Sequence, residues 1–235
     1  MSSEPLPIPE LERRMRPRAY SAGGFLGETE SLETVLIEDR RTLDGARVTY
    51  GQVADALEHV VKSALDQRQA LLTRIAELIE RQQPRTGKLK TALELASPRP
   101  SPSSELLRLN EEFDRRDTEP FDLCRPGSVP HFSRDNLPDV AQGYLVEEGW
   151  QVFFTVYRGL QECPWSCTAI PWAYFDFLIL NRRSGEFITG PGMIVHLIRE
   201  HQFFEGRESP YRVDPARAIR VLEIAPDNNT ILAKR

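Results

Sequence analysis

The chain has 235 residues, with 30 Lys and Arg against 35 Asp and Glu, a net charge of −5 and 40% apolar residues. This is globular composition with enough apolar material for a core, so wholesale disorder is excluded. A mildly acidic chain without a Lys/Arg cluster has little to neutralise phosphates, so nucleic acid and anionic membrane surfaces are poor partners for it.

Apolar runs stop at four or five residues, far short of the eighteen or more that a membrane span requires. Met1-Ser2-Ser3-Glu4-Pro5 places acid and proline where a secretory leader would carry base and an apolar run. Cys124, Cys163 and Cys167 are the three cysteines. They cannot close a paired disulfide framework, so reduced thiols and a cytoplasmic location are expected.

The expected fold is α+β, a helical N-terminal part followed by a small antiparallel sheet with helices. Residues 1–83 form the helical region, 84–104 a Pro/Ser-rich linker, and 105–235 the α+β domain. Ala22-Gly23-Gly24-Phe25-Leu26-Gly27 lacks the Gly-Lys-Ser/Thr ending of a phosphate loop and reads as a turn. Leu32, Val35 and Leu36 have helical spacing behind Ser31.

Thr49 is placed to cap a helix from Tyr50 to Gln82, whose apolar side includes Val53, Leu57, Val60, Val61, Leu71 and Ile75. About thirty helical residues span roughly 45 Å. That length points to a helical hairpin or a coiled coil, and an exposed seam would make residues 50–82 a homodimer surface; internal packing is the commoner use of such a stripe. Gln67-Arg68-Gln69 interrupts it with a bend or a solvated middle.

Ser97-Pro98-Arg99-Pro100-Ser101-Pro102 is an extended connector, and Ser103 or Ser104 caps a short helix from Glu105 to Phe113. Residues 150–157 and 168–180 are rich in β-branched and aromatic side chains and read as strands. Asn181–Gly185 makes a turn, Glu186–Thr189 the return strand, and Gly190-Pro191-Gly192 ends the sheet. A helix is expected from Met193 to Phe204, stopped by Gly206. Asp214-Pro215 opens the last helix.

Chemistry concentrates in one place. Cys163-Pro164-Trp165-Ser166-Cys167 puts two thiols on a tight turn, and His196 and His201 lie on the following helix. Both spacings fall within the range of tetrahedral zinc sites with nitrogen and sulfur ligands. Over about forty residues the order resembles a C2H2 zinc finger, which implies a zinc ion held by Cys163, Cys167, His196 and His201. Two departures stand against the resemblance. Residues 168–195 separate the pairs, where a finger has 12–15 residues. Histidines five apart also point about 140° apart around a helix, so both reach one ion only if the helix ends, tightens or bulges. Cys124 and His131, on a loop able to fold onto the site, are reserve ligands. The competing reading is structural: His196 as a core histidine and the cysteines as small buried hydrophobes.

His196-Leu197-Ile198-Arg199-Glu200-His201 is not a metalloprotease motif, and the Cys and His order is the reverse of a zinc deaminase. Four protein ligands favour a closed structural site over an open catalytic one. The expected function is a cytoplasmic binding or regulatory protein with a structural zinc site and a protein partner, since no intact catalytic motif stands in the sequence. Trp165 is the candidate interface anchor, with Arg182 and Arg183 at the hairpin tip as further partner contacts. One alternative is a hydrolase using open zinc or a Cys–His pair oriented by Asp176. A second is a nucleic-acid binder using Arg182, Arg183 and Arg199 around a finger-like unit.

Overall fold

The computed structural model describes residues 6–19, 23–82, 102–118, 132–147, 149–168, 170 and 172–227. Among these, six helices and a four-stranded antiparallel sheet form an α+β fold. Most of the 84–104 connector, Cys124 and His131 lie outside the described residues. No helix among the described residues is long and apolar enough to cross a membrane.

The helices of the first half begin where the caps place them. α1 (Ile8–Met15) is short and buries Leu11 and Met15. α2 (Leu32–Ala46) starts on Ser31, whose hydroxyl accepts from the Thr34 N–H, and ends on Arg47 in the left-handed region. α3 (Tyr50–Gln82) is one unbroken helix of 33 residues. At its start the Thr49 hydroxyl accepts from the Gln52 N–H at 3.2 Å, while the Gln52 side chain accepts from the Thr49 N–H at 2.9 Å. This reciprocal pair satisfies two otherwise unpaired donors.

The stripe along α3 is used inside the chain. Val53, Ala54, Leu57, Val60, Val61 and Ala64 belong to the main core. One stretch further on, Leu71 and Ile75 pack against Leu106 and Leu109 of α4 (Ser104–Arg116). Ser103 caps α4 and also accepts from Gln82 at 2.6 Å, so the end of α3 lies at the start of α4. At the far end of α4, Arg68 makes two bonds to Asp117 at 2.6 and 2.7 Å. The two helices therefore run antiparallel as a hairpin. The Gln67-Arg68-Gln69 interruption is no bend: Arg68 ties α3 to α4, and Gln67 donates to the Leu145 carbonyl at 2.7 Å.

The sheet runs β1 (Tyr144–Val146), β2 (Trp150–Val156), β3 (Phe175–Asn181), β4 (Phe187–Pro191) in chain order, each strand antiparallel to the next. Val152 pairs with Ile179 and Ile179 with Ile188, so one face presents a continuous apolar row. That row joins the same core as α1, α2 and α3, so a single hydrophobic core runs across the 84–104 boundary. On the other face Phe153, Leu178 and Leu180 pack with Phe132, Leu137, Phe187 and Tyr211. Gly143, at φ 59° just before β1, has the Val152 carbonyl 2.6 Å from where a Cβ would sit; only glycine fits there.

Three expected boundaries are corrected. Thr168, Ile170 and residues 172–174 are not strand, and β3 begins only at Phe175. Tyr157 and Gln161 still donate to the carbonyls of Tyr174 and Ala173, but Trp172 at φ 64° is incompatible with a continuing strand. β4 runs on through Gly190 and Pro191, with Pro191 opposite Asp176; as an edge strand it tolerates proline. The helix after it, α5 (Ile194–His201), stops three residues earlier than expected. Gln202 adopts φ 55°, and the N–H groups of Gln202 and Phe203 donate back to the carbonyls of Ile198 and Leu197. α6 (Pro215–Val221) starts as expected, with Asp214 accepting from the Arg217 N–H at 2.8 Å.

Candidate metal centre

Between β2 and β3 the chain makes a tight turn. The Ser166 N–H donates to the Cys163 carbonyl at 2.8 Å, and Ser166 itself sits at φ 62°. The backbone N–H groups of Trp165 and Cys167 are directed at the Cys163 sulfur, where they stabilise negative charge. Such N–H···S bonds favour a thiolate. From α1, Arg14 reaches the same turn and donates to the Ser166 hydroxyl at 2.6 Å.

α5 brings the histidines to this turn. It packs against α3, burying Ile194, Val195, Leu197 and Ile198. His196 and His201 both lie within this helix, His201 as its last residue, so the two rings approach each other without a break in the helix between them. The two imidazoles lie 5.1 Å apart, nearly edge to face. One ligand atom from each of Cys163, Cys167, His196 and His201 lies within 4.8 Å of every other.

The distances decide what such a set can hold. The His201 Nε2 is 3.5 Å from the Cys163 sulfur and 3.4 Å from the Cys167 sulfur. Zinc bonds of about 2.3 Å to sulfur and about 2.05 Å to nitrogen, at a tetrahedral angle, put sulfur and nitrogen about 3.5 Å apart. A thiol–imidazole hydrogen bond spans the same length, so this distance alone does not separate the two. The His196 Nε2 is buried and has no hydrogen-bond partner, a state that costs about 1–3 kcal/mol for a buried polar atom. A cation bound through that nitrogen would remove the cost.

Burial sets the protonation of the metal-free side chains. It pushes the Cys163 thiol up to about 11. It pulls His201 down to about 4, helped by the neighbouring His196, and lowers His196 against the opposing pull of Glu200. At neutral pH both imidazoles are therefore neutral, the form that ligates metals, and the Cys163 proton must leave when an ion enters. The same values disfavour a Cys163 nucleophile, which would need a depressed pKa. The gathered set includes no carboxylate, and Asp176 instead accepts from the Tyr157 hydroxyl at 2.9 Å.

Trp165 is half-buried. Its ring stacks on His201 at 4.1 Å and 3°, and meets Phe203 edge-on at 5.5 Å. Sequence reading missed this role, since nothing in a Cys-Pro-Trp-Ser-Cys turn says which ring the indole covers. Arg182 is half-buried and donates to the Pro138 carbonyl and the Gln151 side chain. Arg183 pairs with Glu223 and lies over Trp150. Arg199 pairs with Asp55 and Glu58, each at 2.7 Å. A pocket of about 570 Å³ adjoins the centre, lined by Cys163 and Cys167 together with Leu160, Gln161, Glu162 and Ser166 among others.

A second buried group went unremarked in the sequence. Glu205 is fully buried, accepts from the Ser209 hydroxyl at 2.6 Å and leaves Oε1 without a partner. Burial raises its pKa to about 8. A lone acid after Phe203-Phe204 carries no sequence signal of this.

Compared with protein-family models, with curated proteins and with solved structures, the chain matches none. The centre is therefore argued from its own geometry.

Proposed function

We propose that this is a cytoplasmic binding or regulatory protein whose C-terminal half is stabilised by a structural zinc ion on Cys163, Cys167, His196 and His201. The observation that carries it is the convergence of one ligand atom from each of the four side chains within 4.8 Å of every other. Mixed sulfur and imidazole ligation favours zinc. The ion ties the β2–β3 turn to α5, and through Arg14 the turn also holds α1. Zinc here acts by folding, adding its binding free energy to the folded state alone.

The partner surface in this reading moves from Trp165 to the rim beside the centre. Leu160, which lines the pocket at the centre, is 78% exposed, and an exposed apolar side chain at the edge of a pocket is what protein partners use. A homodimer through α3 has less to work with, since of its large apolar side chains only Ile79 is exposed. The three arginines of the nucleic-acid reading are engaged within the chain, which speaks against that role.

The hydrolase reading keeps one observation, the pocket at the two cysteines. The raised Cys163 thiol opposes it. Substitution tests the main proposal: Cys163→Ser and His196→Ala should each lose bound zinc and lower the melting temperature. Unchanged metal content and unchanged stability in both would refute it.

A further inference from the structure

The pocket of about 570 Å³ meets the centre on its sulfur side: both cysteines line it and neither histidine does. Among the described residues, Glu162 is the only charged side chain in its lining. Two thiolates balance the charge of a bound divalent ion, so this carboxylate leaves the wall net negative. Anionic ligands are repelled from it, while a small neutral electrophile is not. Cys167 is only half-buried, and the two sulfurs lie within 4.8 Å of each other on a single five-residue turn.

Resting on the metal reading above, we infer that the pocket admits hydroperoxides to the centre, and that Cys163 and Cys167 form a peroxide-responsive pair that releases the ion on oxidation. One thiolate attacks a peroxide oxygen, the O–O bond breaks, and the departing hydroxide takes a proton from solvent to leave as water. The second thiolate then attacks the resulting sulfenic acid, forming the S–S bond and expelling a second hydroxide, which is protonated likewise. Two thiolates, one hydrogen peroxide and two protons thus give one disulfide and two waters. The ion keeps only two imidazoles, too few for a tetrahedral site, and dissociates. Trp165, stacked on His201, reports the change.

The test uses the full zinc-loaded chain, with its metal content measured before oxidant is added. Excess hydrogen peroxide should release zinc to a chromogenic chelator in step with a Cys163–Cys167 disulfide in the non-reducing peptide map. Dithiothreitol with added zinc should restore the bound state and the Trp165 fluorescence. Leu160→Trp, a change at an exposed rim position, should narrow the mouth and slow release several-fold with zinc content unchanged. Zinc retained under peroxide, or release without that disulfide, overturns the inference and leaves the metal centre standing. A Leu160→Trp variant that matches the parent rate overturns the pocket as the route. A preparation without metal before oxidation overturns the centre and this inference with it.

Discussion

His196 and Glu205 each carry a buried polar atom without a protein partner, and the two resolve it in different ways. His196 stands with Cys163, Cys167 and His201 in a set that could hold an ion, and an ion on its nitrogen would satisfy it. Removing one ligand should cost on the order of 4 kcal/mol, or about 10 °C in melting temperature for a chain of this size; differential scanning calorimetry of His196→Ala reads it directly. Glu205 has no such company and holds a proton instead. Its folded pKa of about 8 lies above the ordinary glutamate value of 4.5. Between these values the folded state keeps a proton that the unfolded state has lost. Its contribution is therefore full below pH 4.5 and falls away as pH rises toward 8, by at most about 1.4 kcal/mol per pH unit. Glu205→Gln should flatten this window in urea titrations run across it. A parent protein whose stability does not fall over the window would contradict the assignment.

At the scale of elements, terminations decide the site. α5 ends on a glutamine at φ 55°, a conformation that costs a non-glycine residue about 1 kcal/mol. Gln202→Gly should stabilise the protein by about that amount without loss of bound metal; a destabilised variant would mean that the Gln202 side chain is needed. The Arg68–Asp117 pair, with both side chains less than one-fifth exposed, holds the α3–α4 hairpin. A double-mutant cycle to alanine should give a coupling of about 1–2 kcal/mol, and additivity would deny the pair a role. Much of this was legible. The capping box at Thr49 and the stripe behind it announce α3, and the β-branched and aromatic run from Val152 to Val156 announces β2, which is buried on both faces. The end of α5 was not legible, because Phe203 and Phe204 continue the apolar pattern and a left-handed glutamine has no sequence signature. Residues 168–174 mislead for a related reason: their aromatic content is that of a strand, while one left-handed tryptophan breaks it. α1, eight residues between prolines, is too short for periodicity to stand out.

For the molecule as a whole, one core joins the helices of the first half to the sheet of the second. Thermal unfolding followed by far-UV circular dichroism and by tryptophan fluorescence should therefore give coincident transitions; separate ones would show that the halves unfold independently. The α+β class and the four convergent ligands were readable from spacing alone, because ligand chemistry restricts residue types and separations. The pocket, the indole covering His201 and the arginines engaged within the chain depend on contacts between segments far apart in sequence, which no local pattern encodes. The central claim is that the Cys163, Cys167, His196 and His201 set holds zinc. Elemental mass spectrometry on untagged protein, purified reduced and without chelator, tests it most directly. The account predicts about one zinc per chain, lost on substitution of Cys163 or His196. A folded protein free of metal would contradict it and return the four side chains to the core.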